Sequence, residues 1–277
     1  MSKKEDKSVA KVKNSLPVVP EGIDFDADAG VGSESMTVDD LAIPRINIIQ
    51  SLSPQRSKTK SEYIEGAEEG MIFDSVSKKL IDGEKGILIV PIQFTKLFLE
   101  WAPRETGKGL VANHGGDRTA YDAANVNLKY QHITNAGNEV IPTAEYFVFL
   151  IDEETGSARP YVLSMSKSGM KHAKRWNSII NTLLDTHPTK PEINNWDAPI
   201  FWGTYRLTAV PESNQQGEWY RWEIKQEGTI KDLENCWDIY TAANKFREGI
   251  ADGKVKAQEP DVEHVGEGSS EGDDDPM

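Results

Sequence analysis

Residues 217–225, GEWYRWEIK, place aromatic and basic side chains at a spacing that suits the binding of a single nucleic-acid strand. Successive side chains of a β-strand point to opposite faces, and the apolar face here would carry Tyr220, Trp222 and Ile224. The opposite face would carry Trp219, Arg221, Glu223 and Lys225. An exposed ring can stack on a base while cations bind the phosphates. The alternative interpretation is a solvated strand face with one amphipathic tryptophan.

The preceding predicted strand, residues 199–210, repeats this arrangement. Its outward face would carry Trp202, Thr204, Arg206 and Thr208. Side chains that lie opposite each other on paired strands are close enough to interact. The two strands together are therefore predicted to form one stacking and phosphate-binding surface. The alternative interpretation is that Trp202 packs beneath a helix.

Two further segments carry side chains that could bind nucleic acid. The first lies in TKLFLEWAPRE, residues 95–105, and contains Lys96, Phe98, Trp101 and Arg104. Its alternative interpretation is an edge strand with a core tryptophan. The second is a predicted helix over residues 166–185, whose basic side carries Lys167, Lys171, Lys174 and Arg175. The opposite side carries Ala173, Trp176, Ile180, Leu183 and Leu184. Because that side is apolar, the basic side must point outward, although such a face is often only solvated.

Several catalytic and metal-binding patterns are incomplete. Residues 102–109 resemble a phosphate-binding loop, but Ala102 stands where the loop needs Gly, and Gly109 stands where it needs Ser or Thr. One cysteine, Cys236, and five scattered histidines provide no metal-ligand spacing. The adjacent carboxylates of residues 152–154 fall at a predicted hairpin tip, where the turn explains them. We therefore expect no cofactor, no metal and no enzymatic activity.

The elements that would position these side chains are mainly β-strands. Apolar or alternating runs separated by turn residues predict hairpins over residues 145–165 and 199–226. Residues 86–101 predict one long strand that bends near Thr95 or Lys96.

Two helices complete the predicted body, over residues 166–185 and residues 229–249, and Thr229 with Asp232 resembles a capping pair for the second. Residues 102–143 are rich in Gly, Asn and Ala and predict a long loop or loosely structured insertion. The body is thus predicted to be mainly β with two helices, an α+β fold that resembles the OB (oligonucleotide-binding) type, an antiparallel Greek-key barrel. A different mixed barrel or a sandwich fits the same pattern.

Charge is distributed unevenly along the chain. The net charge is −14, yet residues 41–257 hold 26 basic and 28 acidic residues, whereas residues 258–277 hold eight acidic residues and no basic one. We expect a disordered N-terminal arm over residues 1–40, a single nucleic-acid-binding domain over residues 41–250 and a disordered acidic tail over residues 251–277. The nearly neutral body can carry a basic groove.

The sequence predicts a cytoplasmic protein with no membrane partner. Residues 1–15 are basic but lack the apolar stretch of a signal peptide. The longest apolar run, residues 87–92, is far too short to span a membrane. Self-association into a homo-oligomer stays open.

The chain ends in Asp273, Asp274, Asp275, Pro276 and Met277. This segment carries negative charge like a phosphate backbone, so it can fold over a basic groove and compete weakly with DNA. Once DNA displaces it, its carboxylates can meet basic residues of a partner protein while the Pro–Met tip fills an apolar pocket. The alternative is a solubilising tail.

These features together resemble the single-stranded-DNA-binding proteins encoded by bacteriophages. The resemblance is carried by the Trp/Arg hairpin at residues 201–225, by LFLEWAPRE at residues 97–105 and by DDDPM at residues 273–277. It implies an OB fold and sequence-independent protection of single-stranded DNA during phage replication or recombination, in the host cytoplasm. It also implies a tail that recruits replication and recombination proteins. The last residue here is Met277, where the similar bacterial tail ends in phenylalanine.

The first hypothesis is therefore a non-catalytic single-stranded-DNA-binding protein. Its main platform would be Trp202, Arg206, Trp219, Arg221 and Lys225, extended by Lys171, Lys174 and Arg175. A metal-dependent nucleic-acid enzyme is a second hypothesis and would need convergent carboxylates. A structural or interaction protein, such as a virion component or an acidic decoy of DNA, is a third and would bind no DNA with or without the tail.

Overall fold

The computed structural model describes residues 31–32, 43–214, 217–253, 255 and 257. The chain divides into two compact units, Met1–Thr37 and Val38–Met277, and every element named below belongs to the second. Most of the predicted N-terminal arm lies outside the described residues, and so do the tail residues Asp273, Asp274, Asp275, Pro276 and Met277.

The described part of the chain is mainly β with few helices, as predicted. Its strands are β1 (Arg45–Ile48), β2 (Ile72–Asp74), β3 (Leu80–Ile81), β4 (Ile87–Trp101), β5 (Leu110–Asn113), β6 (Asn125–Val126), β7 (His132–Ile133), β8 (Glu139–Ile151), β9 (Ala158–Ser166), β10 (Leu184–Asp185), β11 (Trp196–Asp197), β12 (Gly203–Asn214) and β13 (Gly217–Thr229). Its α-helices are α1 (Thr119–Ala123), α2 (Met170–Asn181) and α3 (Cys236–Ala251). The short helix α1 and strands β5 to β7 lie within the predicted loop over residues 102–143, which is therefore structured.

Most of the strands form one mixed sheet that curls into a half-barrel. Its main path runs β13-β12-β4-β8-β9-β1-β2-β3, with β5 beside β4 and the β6–β7 hairpin beside β8, while β10 and β11 form a separate hairpin. Within the described residues the strands pair antiparallel, except β1 and β9, which are parallel. The sequence predicted mostly antiparallel strands and did not reveal this parallel pair, because hairpin signals identify only neighbours that are close along the chain.

Strand β4 is irregular at a proline. Its pairing with β8 shifts register between Pro91 and Gln93, not at the predicted Thr95 or Lys96. Proline has no backbone N–H, so the hydrogen-bond ladder is interrupted there, and such a bulge bends a strand. Beyond it, β4 and β8 continue as a ribbon to the pair Trp101 and Glu139.

Two hydrophobic cores lie on opposite faces of the sheet. Alternate residues of β4 enter them: Ile87 and Ile89 pack into the first core, Leu88 and Val90 into the second. Helix α2 contributes Ala173 and Trp176 to the first core, as predicted, and α3 contributes Ile239 and Ala243 to the second. Because both faces are covered, either face of a strand can be buried.

Both long helices are displaced from their predicted ends. Helix α2 ends at Asn181, where the Thr182 hydroxyl donates back to the carbonyl of Ser178 at 2.9 Å. Leu184 then lies in β10 and is 55% exposed, so its predicted place on the apolar side of the helix is wrong. The capping pair Thr229 and Asp232 is present, but it caps the short turn Ile230–Asp232 that precedes α3.

The curled sheet is joined across its open side by a side chain. Gln50 follows β1, and its amide Nε2 donates to the carbonyl of Tyr220 at 2.7 Å, while the Tyr220 N–H donates to Gln50 Oε1 at 2.8 Å. The Tyr220 ring packs over Gly70, where an added Cβ would lie 2.5 Å from the ring. These contacts bring the outer edge of β13 beside β1.

Candidate nucleic-acid interface

The predicted surface on β12 and β13 is not continuous, because Trp202 is buried. Trp202 belongs to the turn Ile200–Trp202 that precedes β12, so strand alternation does not set its direction. Its ring is fully buried in the second core, and Nε1 donates to Asp185 Oδ2 at 2.7 Å. The predicted outward position is wrong, and the alternative interpretation is correct, since the ring contacts Tyr240 of α3.

The guanidinium of Arg206 forms ion pairs with two carboxylates. Nη1 and Nη2 each donate to a carboxylate oxygen of Glu153 at 2.7 Å, and Nε and Nη2 donate to Glu227 at 2.9 and 3.0 Å. Hydrogen bonds to Glu153 and Glu227 raise the pKa of Arg206, and its hydrogen bonds lower the pKa of Glu153. Arg206 therefore ties the β8–β9 turn to β13. Lys225, opposite it in register, stays exposed beside Glu223.

Trp219 and Arg221 line a polar cleft instead of an open surface. The polar cleft is about 70 Å³ in volume, and its walls include Asn47, Ser164, Ser166, Ser168, Gly169, His172, Trp219 and Arg221. Trp219 is only 7% exposed, so its ring is not free to stack on a base in this arrangement. The sequence had placed both residues on an outward face, but the end of the hairpin is covered by α2 and by the residues after β1.

The third predicted cluster is split between the two faces of β4. Trp101 is buried with Leu97, Leu99 and Ile141 in a satellite core, which matches the alternative interpretation of a core tryptophan. Lys96 and Phe98 alternate along β4 with Leu97, Leu99 and Trp101, so they lie on the opposite face of the strand from that core. The side chain of Arg104 lies outside the described part of the structure.

The other face of β4 carries a row of aromatic and basic side chains. This β4 strip consists of Phe94, Lys96 and Phe98. Phe94 is 36% exposed, and its ring lies 5.1 Å from the buried ring of Tyr146 on β8. Lys96 is exposed, with Nζ 5.4 Å from the Phe98 ring centroid. An exposed ring beside a cation is the arrangement that a single nucleic-acid strand requires.

The row of rings continues from β4 into the insertion. Phe98 packs against Tyr121 of α1 at 5.4 Å, and Tyr121 stacks on His132 of β7 at 3.6 Å. Burial raises the pKa of the Tyr121 hydroxyl. Glu100 holds the insertion in place, since it accepts a hydrogen bond from Asn138 Nδ2 at 2.7 Å and lies 2.9 Å from His114 Nε2.

Helix α2 contacts this row through Tyr146 and exposes its basic side chains to solvent. Lys171, Lys174 and Arg175 are all exposed, as predicted, and Lys171 pairs with Glu212 at 2.6 Å. The Tyr146 hydroxyl donates to Asn177 Oδ1 at 2.8 Å, and Asn177 lies one helical turn from Lys174. Because Tyr146 also contacts Phe94, the helix and the β4 strip meet at one residue.

The structure therefore separates the predicted residues into three groups. Lys96, Lys171, Lys174, Arg175 and Lys225 are exposed cations. Trp219 and Arg221 line the polar cleft, and Arg206 is paired. Trp101 and Trp202 are core residues. Sequence reasoning missed Phe94, Tyr121, His132 and His172. The two-residue spacing of Phe94, Lys96 and Phe98 could have revealed Phe94.

Two properties of the described residues bear on other functions. No group of three or more His, Cys, Asp or Glu side chains in these residues could hold a metal ion. None of their helices has the length and apolar character needed to cross a bilayer.

Comparison with known proteins places the chain in a phage family. No curated protein and no solved structure matches it. The family described as Pam3 phage gp34-like protein matches residues 10–256, which is most of the chain and includes β1 to β13 and all three α-helices. The chain therefore belongs to the Pam3 phage gp34-like protein family.

Proposed function

We propose that this protein binds single-stranded DNA without catalysis, during phage replication or recombination. The observation that carries the proposal is the exposed ring of Phe94, with Lys96 beside it and Lys174 on the adjoining helix. Phe94 supplies a surface for a base, and the two lysines supply charge for the flanking phosphates. Stacking of a base on an aromatic side chain contributes about 1–3 kcal/mol and tolerates any sequence.

The strand order supports a barrel of the OB type. Strands β4, β8 and β9 follow one another, and the chain then returns through α2 so that β12 lies beside β4. This spatial order resembles the fourth-first-second-third order of a Greek key and supports the proposed OB-like barrel, with β13 lying beyond β12. OB folds bind oligonucleotides with help from the loop between their first two strands. Here that connection is the insertion that carries Tyr121 and His132.

The proposed contact surface differs from the one that the sequence predicted. It keeps Lys96, Lys171, Lys174, Arg175 and Lys225 and adds Phe94, with Tyr121 and His132 behind it. It leaves out Trp101 and Trp202 because they are buried, and Arg206 because two carboxylates already balance its charge. The acidic residues Asp273 to Asp275 with Pro276 and Met277 are proposed to compete for the cationic surface and to recruit replication or recombination proteins.

Fluorescence anisotropy with labelled oligo-dT over a salt series tests the proposal. We expect binding that weakens with salt, because each phosphate contact releases a counterion, and that tightens when the chain is stopped after Gln258. The variant Phe94→Leu keeps an apolar side chain but removes the ring, and it should weaken binding by about fivefold or more.

The matched control for the cations removes the same charge elsewhere. The pair Lys96→Ala with Lys174→Ala should weaken binding and lower the salt slope by about 2. The pair Lys190→Ala with Lys245→Ala, both exposed and outside the proposed surface, should lower the slope much less. If the full chain and the shortened chain both fail to bind at low salt, the proposal is overturned.

A second candidate function is that of a structural protein whose copies associate. It is favoured by the tip of the β6–β7 hairpin, where Leu128 is fully exposed and Tyr130 is 62% exposed. Neighbouring exposed apolar side chains can form part of an interaction surface. Sedimentation equilibrium of the protein and of Leu128→Asp tests it: self-association that the substitution abolishes, without oligo-dT binding by either protein, would favour this function.

A further inference from the structure

The polar cleft has the features of a built binding site. It lies where β1, β9, the beginning of α2 and β13 meet. Trp219 is only 7% exposed, yet its indole Nε1 has no hydrogen-bond partner in the described structure. The Arg221 Nε is also buried and makes no hydrogen bond among the described residues, but it lies 3.5 Å from Glu212 Oε2 and forms an ion pair with it. Buried donors are nearly always paired in native proteins, so the orphaned indole N–H of Trp219 at this cleft indicates a ligand with acceptor atoms.

The beginning of α2 adds to the donor character of the cleft. Ser168 and Gly169 lie in the cleft wall and precede the first α-helical residue, Met170. The helix has no side-chain cap and no acidic residue in its first turn. The N-terminus of a helix carries partial positive charge and unpaired N–H groups, and it favours anions. The hydroxyls of Ser164 and Ser166 provide further donors in the same wall.

The charges around the cleft also favour an anion. Glu212 is the acidic neighbour, and its carboxylate is balanced by Lys171 at 2.6 Å and Arg221 at 3.5 Å. His172 lies 3.9 Å from Glu212. Burial, with the charge of Arg221, lowers the pKa of His172, so its ring is mostly neutral at pH 7 and offers one N–H. The cations Lys171 and Arg221 thus outnumber the single carboxylate of Glu212 at the cleft.

We infer that the polar cleft binds a phosphate group, held by Trp219 Nε1 and the beginning of α2, with the positive charge of Arg221 beside it. The volume of about 70 Å³ is well above the roughly 10–15 Å³ that one water molecule needs, so the cleft has room for a tetrahedral anion. A nucleobase with its sugar is much larger and would remain outside. The phosphate can be free, terminal on a nucleotide, or part of a DNA backbone. This site shares no residue with the β4 strip, so it stands whether or not Phe94 contacts DNA.

The indole N–H signals of the full chain, labelled with ¹⁵N-tryptophan, test this inference. The protein has seven tryptophans, and the signal of Trp219 is identified by its loss in Trp219→Phe, which keeps an aromatic ring in place. Titration with inorganic phosphate at constant ionic strength should shift that signal to saturation and leave the tryptophans outside the cleft nearly unchanged, whereas Trp222 also lines the cleft. Arg221→Gln should weaken the apparent affinity about tenfold or more, because the positive charge beside the phosphate is lost.

Trp237→Phe is the matched control, because Trp237 is exposed on α3 and should leave the phosphate response intact. Phe94→Leu should leave it intact as well, which separates this site from the proposed DNA contact. Thymidine monophosphate and an oligo-dT without terminal phosphates distinguish a terminal phosphate from a backbone phosphate. The inference is overturned if the Trp219 signal does not respond to phosphate, responds equally to chloride, or responds to thymidine without phosphate.

Discussion

Arg45 on β1 forms a buried ion pair with Glu145 on β8, with Nη2 and Oε2 separated by 2.8 Å. The two side chains are 9% and 7% exposed, and Arg45 also donates to Ser164 on the intervening strand β9. One side chain thus links three neighbouring strands, including the parallel pair that the sequence did not reveal.

Removal of Arg45 is expected to be costly. Arg45→Met leaves the Glu145 carboxylate buried without its cation, which destabilises a protein by about 3–5 kcal/mol. Urea unfolding at pH 7 measures this. Arg118→Ala, which breaks an exposed pair with Asp122, should change stability by less than about 1 kcal/mol. The double variant Arg45→Met with Glu145→Leu should recover part of the loss, and equal losses in the single and double variants would contradict this explanation.

Gly70 is expected to tolerate no side chain, because the Tyr220 ring lies over it. Gly70→Ala adds backbone strain at φ +81° and a contact of 2.5 Å with that ring. The matched control is Gly137→Ala, which has nearly the same φ, +83°, but no atom within 4 Å. We expect the control to lose about 1 kcal/mol of unfolding free energy and Gly70→Ala to lose a further 1–3 kcal/mol or so from overpacking. Equal losses would show that the ring moves aside freely.

The attachment of the insertion to β4 is expected to weaken in acid. A hydrogen bond from Asn138, together with those from His114 and Thr134, lowers the pKa of Glu100 below its ordinary value of 4.5. A carboxyl whose folded pKa is lowered stabilises the protein above its unfolded pKa, and this contribution disappears as the pH falls through the folded pKa. Asn138→Ala should therefore lower the free energy of unfolding by its full amount at pH 7 and by a smaller amount below about pH 4.5. In the background of Glu100→Gln, which cannot titrate, the same loss should not depend on pH.

Arg206 is expected to contribute nothing to DNA affinity. Four of its five N–H donors bind Glu153 and Glu227, and these two carboxylates already balance its charge. Arg206→Gln should leave the salt slope of oligo-dT binding unchanged, whereas Lys174→Ala should lower it by about 1. A drop of about 1 in the Arg206 variant would show instead that the guanidinium leaves its ion pairs to bind the strand.

The sequence alone revealed two hairpins and the buried side of one helix. Alternation of side chains in residues 145–165 and 199–226 predicted the β8–β9 and β12–β13 hairpins, because strand periodicity and turn residues are local properties. The apolar stripe through Ala173 and Trp176 likewise predicted which side of α2 is buried, and therefore that Lys171, Lys174 and Arg175 point outward. The match of residues 10–256 to a phage family agrees with the phage origin that the resemblance implied.

The tertiary structure alone decided which aromatic rings are exposed. Periodicity assigns a ring to a face, but the burial of that face depends on elements that arrive from distant parts of the chain. Trp202 is covered by α3 and Trp219 by α2 and the residues after β1, whereas Phe94 stays uncovered. The ion pairs of Arg206, the link between Gln50 and Tyr220 and the orphaned indole N–H of the polar cleft arise in the same way, from contacts between residues far apart in sequence.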